Sequence, residues 1–118
     1  QCPILDCFAQ VTPKIHLHFF DRDVHPDLHG LMSVCGAARV PSVLFLSEDY
    51  FICGHYGDRT LAKYREMASA LSGSVCPSGI VAPGQSLLDQ VTQEWLNEFE
   101  RIQWMLRLSG RLRQKHGD

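Results

Sequence analysis

The chain has 118 residues, 45% hydrophobic and 20% charged, with a net charge of −2 at neutral pH. That is enough chain and apolar content for one domain with its own core, and too little net charge to draw it to nucleic acid or to an anionic membrane surface. No run nears the roughly 20 apolar residues of a membrane span and no stretch reads as a secretory signal, so we expect a cytoplasmic protein with neither nucleic acid nor membrane as a partner.

Pro3 to Val11 places Ile4, Leu5, Phe8 and Val11 at helical spacing, with Pro3 suited to a first turn. Thr12-Pro13 ends that helix. Ile15 to Phe20 then alternates, with Ile15, Leu17 and Phe19 opposite His16, His18 and Phe20, and reads as a strand. Asp23 is placed to cap a second helix with Pro26 in its first turn; Leu28, Leu31, Met32 and Cys35 form its stripe and Gly36 its stop.

Pro41 precedes the unbroken apolar run Val43 to Leu46, which predicts a strand buried on both faces. A proline there either opens the strand or marks a cis Val40-Pro41 bond that presents backbone at a binding surface. Ser47-Glu48-Asp49 is a turn, and Tyr50 to Tyr56 supplies the second strand of a hairpin, ended by Gly57-Asp58. Asp58 or Thr60 caps the next helix, whose stripe is Leu61, Tyr64, Met67, Ala68 and Leu71. Residues 73–84 form a Gly/Pro-rich loop. From Gln85 to about Arg113 one long amphipathic helix is predicted, with Leu88, Val91, Trp95, Phe99, Ile102, Met105 or Leu106, and Leu112 on its stripe. Ser86 and Asp89 are spaced as a capping box. The order α-β-α-β-β-α plus one helix predicts an α/β protein of packed layers.

The five cysteines, Cys2, Cys7, Cys35, Cys53 and Cys76, are odd in number and form no Cys-x-x-Cys pair. They read as reduced thiols, with Cys7, Cys35 and Cys53 at core-like positions and Cys76, beside Pro77, exposed. The pairs His16/His18 and His25/His29 lack a third fixed ligand and read as hydrogen-bonded surface histidines, so no metal is predicted. Asp21, Arg22 and Asp23 read as cap and loop residues. Arg107, Arg111, Arg113 and Lys115 read as cations favoured by a helix C-terminus and by solubility. Trp95 and Phe99 fall on the buried stripe of the last helix, whereas Trp104 falls off it and marks a candidate interface, in a monomer or weak dimer.

Several stretches taken together resemble one family. PILD, Pro3 to Asp6, is similar to the proline and following turn of the thioredoxin active-site helix. FFDRDVHP, Phe19 to Pro26, is similar to that family's strand end and helix entry. Arg39-Val40-Pro41 followed by SVLFL is similar to its cis-proline loop and central strand, and Gly57 to its glycine after the hairpin. The resemblance covers roughly residues 3–71.

It implies a thioredoxin-like three-layer α/β/α sandwich, N-terminally truncated, with an extra long C-terminal helix like the extension of a bacterial subfamily. Its parts are a core over 1–72, the loop 73–84, and a helix and basic tail over 85–118 packed on the core. The family's Cys-x-x-Cys is absent, and matching Pro3 puts it just upstream of Gln1, together with a strand expected between 15–20 and 42–46. Cys2 lies about one turn past the second family cysteine, so no residue of the chain is assigned a catalytic role.

The resemblance further implies a cis Val40-Pro41 bond, with Val40 and Pro41 binding extended substrate by strand addition. It implies a member of the thiol–disulfide oxidoreductase lineage acting on protein thiols or disulfides without a cofactor, the chain itself being inactive. The alternative is a non-catalytic thioredoxin-like protein-binding module.

Overall fold

A computed structural model describes residues 1–72 and 86–118. The predicted Gly/Pro loop, including Cys76, lies outside the described residues, as does Gln85. The elements are α1 (Cys2–Val11), α2 (Pro26–Leu31), β1 (Ser42–Leu46), β2 (Ile52–Gly57), α3 (Leu61–Ser72), α4 (Leu87–Leu108) and α5 (Gly110–Lys115). Helices accompany a two-stranded antiparallel sheet of β1 and β2, as an α/β protein requires. The chain divides into two compact units, one of residues 1–43 with 56–58, the other of 44–55 with 59–118.

In the first unit α1 forms where its spacing predicts, with Pro3 in the first turn and Thr12 extended ahead of Pro13. Leu5 is its buried residue, and Ile4 and Phe8 are half-buried. Cys7 is exposed rather than in the core, because two residues from Leu5 is the far side of a helix. Ile15 to Phe20 forms no strand among the described residues, and Phe19 and Phe20 are exposed. Alternation gives a segment two faces, but a ladder also needs a neighbouring strand, and none of the described residues supplies one.

Asp23 does not cap α2. Its N–H donates to Asp21 Oδ1 at 2.8 Å in a local turn, and the helix starts at Pro26 after His25. The helix also stops at Leu31, short of Gly36. Cys35 and Gly36 both take positive φ, 53° and 73°, between Val34 and Ala37, which exchange backbone hydrogen bonds at 2.8 and 3.1 Å. Two consecutive left-handed residues make the tight turn of a hairpin, so Cys35 is on an exposed tip and not on a helical stripe.

The second unit holds the hairpin end, α3, α4 and α5. β1 is buried at Phe45, whereas Leu44 and Leu46 are partly exposed, so the run is not covered on both faces. A strand in a two-stranded ribbon has less around it than the central strand its composition suggests. The connection is closed by Ser47, whose N–H donates to Phe51 O at 2.8 Å and whose Oγ accepts the Phe51 N–H at 3.0 Å. That closure keeps Tyr50 and Phe51 in the connection, so β2 starts at Ile52.

α4 packs against α3 and the hairpin. Ser86 caps it through the Asp89 N–H at 3.1 Å, and Val91, Trp95 and Ile102 are its buried residues. Phe99 meets Phe45 edge-on at 5.2 Å. A Cβ on Gly54 would lie 3.1 Å from Ile102 Cδ1, so glycine leaves room on β2 for the α4 side chain. α3 is turned relative to its predicted stripe: Thr60 and Ala62 are buried, while Leu61, Tyr64 and Leu71 are exposed. Thr60 Oγ1 has no hydrogen-bond partner and so caps nothing. The Glu94 carboxylate from α4 accepts the Ala62 N–H at 3.1 Å instead, an anion at a helix N-terminus.

The predicted single helix to Arg113 breaks at Ser109, whose ψ of 115° is extended and whose Oγ accepts the Leu112 N–H at 3.5 Å. Ser109 followed by Gly110 favours a restart over continuation. The restart buries Leu112 and turns Arg111 and Lys115 onto the β1–β2 connection. Arg111 pairs with both oxygens of Asp49 and stacks over Phe51 at 4.6 Å. Lys115 Nζ lies 2.6 Å from Glu48 Oε1, and His116 Nε2 lies 2.8 Å from the same oxygen. Arg107 pairs with Asp118. These contacts replace the reading of the tail as cations answering only a helix end and solvent.

Candidate functional site

The site is built at the start of α1. Gln1 supplies the carbonyl that accepts the Ile4 and Leu5 N–H groups at 2.9 and 3.3 Å, so α1 begins there, and Cys2 is its first residue, with an exposed thiol. The Gln1 side chain reaches across the sequence and donates from Nε2 to the Asp58 carbonyl at 3.2 Å.

Asp58 follows β2 and turns the chain with a φ of 67°. Aspartate tolerates this left-handed conformation better than most side chains. Its residue exposure is only 6%. The Asp58 N–H donates to the Pro41 carbonyl at 2.8 Å, one step beyond the β1–β2 ladder, and its Oδ2 lies 4.0 Å from Arg39 Nε. One buried residue thus ties the α1 N-terminus to the loop that opens β1.

In that loop the Val40-Pro41 peptide bond is cis. Val40 is 57% exposed, and among the described residues neither its N–H nor its carbonyl has a hydrogen-bond partner. Backbone polar groups in folded chains are nearly always paired or in contact with water. Here a short open edge, two backbone groups and a Val side chain, follows Arg39 in the chain and leads into the strand. The N-terminus of α1 adds partial positive charge on its first N–H groups. Chemically the arrangement can accept an extended polypeptide through main-chain hydrogen bonds.

The other candidate residues make local contacts of their own. Arg22 and Asp23 form a local exposed ion pair at 3.7 Å. The His25 ring meets Phe20 edge-on at 5.4 Å. Among the described residues no three His, Cys, Asp or Glu side chains are grouped to hold a metal, and no described helix is long and apolar enough to cross a membrane. Trp104 is exposed on α4, with its indole N–H 3.4 Å from Glu100 Oε1.

Sequence reasoning named Val40 and Pro41 but gave Asp58 only the part of a strand end or a helix cap. The local signal was a Gly-Asp pair, which marks a turn; the 57-residue separation between Gln1 and Asp58 leaves no local trace.

The sequence model of the family described as Thioredoxin matches residues 1–72, out of 118. No curated protein and no solved structure matches the chain significantly. With more than half its length inside that match, and the proline loop and first helix both within it, the chain belongs to the thioredoxin family.

Proposed function

We propose that the chain is the later part of a thiol–disulfide oxidoreductase whose Cys-x-x-Cys dithiol lies just upstream of Gln1. In this reading the upstream strand completes a three-layer α/β/α sandwich. The observation that carries it is the open Val40 backbone, linked through Pro41, Asp58 and Gln1 to the N-terminal end of α1. A substrate strand paired with Val40 is then held beside the end of the helix that the dithiol would precede.

The chemistry is thiol–disulfide exchange. A thiolate of the dithiol attacks one sulfur of the substrate disulfide, forming a mixed disulfide and releasing the other substrate sulfur as a thiolate that takes up a proton. The second cysteine, as thiolate, attacks the mixed disulfide and frees the remaining substrate thiolate. Two substrate thiols are formed and the enzyme dithiol becomes a disulfide. The helix N-terminus favours the attacking thiolate, and the residues of the present chain bind and orient.

The reading is tested by insulin reduction, with dithiothreitol as donor, comparing the chain with the product of the upstream-extended reading frame. The extended protein is expected to turn over well above the uncatalysed rate and the chain at that rate. Turnover by the chain above the uncatalysed rate would contradict the assignment of the chemistry to upstream residues, and equal turnover by a Cys2→Ser variant would then exclude Cys2 as its source. An extended protein that binds peptide at Val40 without reducing insulin would establish the binding-module reading instead.

A further inference from the structure

Arg39 lies directly before the Val40-Pro41 loop with its side chain 45% exposed. Its Nε is 4.0 Å from Asp58 Oδ2, beyond hydrogen-bond distance, and among the described residues the guanidinium has no hydrogen bond and no second ionic partner. A guanidinium carries five donors in one plane and matches a carboxylate with two parallel bonds. The Asp58 backbone is held beside it, its N–H by the Pro41 carbonyl and its carbonyl by Gln1. The cation is paired with Asp58 without being saturated by it, and Arg39 immediately precedes Val40 and its two open backbone groups in the chain.

We infer that the loop selects extended polypeptides bearing an acidic side chain beside the residue that pairs with Val40. Arg39 is the specificity residue and Asp58 its partner in the free chain. The inference rests on Val40 being the substrate edge, and it adds a substrate class that the edge alone does not specify. Because Asp58 competes for the same guanidinium, removing its charge frees Arg39 for the substrate.

The test is a titration of the isotope-labelled chain, followed at the Val40 amide, with two short Thr/Val-rich peptides. One carries glutamate on both sides of a central serine, and its twin carries glutamine. Both are expected to shift Val40, and the glutamate peptide to bind about threefold tighter at low salt, as an exposed ion pair allows. That preference should collapse at high salt and in Arg39→Gln. It should widen in Asp58→Asn, which keeps a residue tolerant of positive φ. A role for Asp58 in the scaffold alone would weaken both peptides equally and leave their ratio fixed. Equal affinities in the unaltered chain, or a preference surviving in Arg39→Gln, would overturn the inference while leaving the edge intact. If neither peptide shifts Val40, the edge reading itself fails, and the inference with it.

Discussion

Replacing Trp95 by alanine is expected to remove about 3–5 kcal/mol of folding stability. Trp95 is 0% exposed and sits at the middle of the α4 stripe, one turn from Val91 and from Phe99. Truncating an indole there loses its transfer free energy and leaves a cavity that a helix packed against α3 and the hairpin closes only in part. Single domains hold only about 5–15 kcal/mol in all, so the variant should lose roughly 10–20 °C in midpoint. Trp104, two and a half turns on, is the internal control. It is 57% exposed and its indole N–H meets only Glu100 among the described residues, so Trp104→Ala should stay within about 0.5 kcal/mol. Urea unfolding of both variants checks the pair. Equal losses would mean that α4 is turned differently from the arrangement described.

The second large effect is release of α5 by acid. Hydrogen bonds from Lys115 and then His116 lower the Glu48 carboxyl, and those from Arg111 and then Ser47 lower the Asp49 carboxyl. A carboxyl with a depressed folded-state pKa stabilises the native state fully above its unfolded value, near 4, and loses that contribution as pH falls through the folded value. The clasp should therefore be intact at neutral pH and weaken progressively below about pH 4. On the alkaline side Lys115 is raised by its hydrogen bond to Glu48, so its share persists below its unfolded pKa and is lost as pH rises through the folded one. Because Ser109 already interrupts the helix, α5 should detach while α4 stays folded. Amide protection, relative to the unfolded chain at the same pH, at Arg113 and His116, whose N–H groups bond to Ser109 and Leu112 carbonyls, should fall in acid ahead of that of the α4 amides. Asp49→Asn should bring that loss of protection to neutral pH. Protection that falls together across α4 and α5, or is indifferent to Asp49→Asn, would refute a separate clasp.

What the sequence made legible follows from the range of the interactions involved. Helix starts and the hairpin rest on neighbours a few residues apart, so α1, the Ser86 cap and the β1–β2 pairing were readable from Pro3, Ser86 and the apolar run at 43–46. The family was readable because its proline loop and helix entry recur in order, and the match over residues 1–72 bears that out. Failures came where a distant residue decides. Ile15–Phe20 has a strand's alternation, but the ladder depends on a neighbour. The roll of α3 accompanies Glu94 reaching the Ala62 N–H from another helix. Arg111 and Lys115 find Asp49 and Glu48 across more than 60 residues, and Asp58 joins Gln1 to Pro41 in the same way. The helix break at Ser109-Gly110 is a different kind of miss, since its signal was local and was outweighed by the apolar spacing that continues to Leu112.

The Val40 edge is where an extended chain is expected to bind. Intermolecular nuclear Overhauser contacts between the protein and a bound Thr/Val-rich peptide test it most directly. Contacts from the Val40 amide to peptide backbone protons, with the Val40 N–H newly protected from exchange, are the predicted result. Contacts confined to the exposed face of α4 around Trp104, with Val40 exchanging as in the free chain, would contradict it.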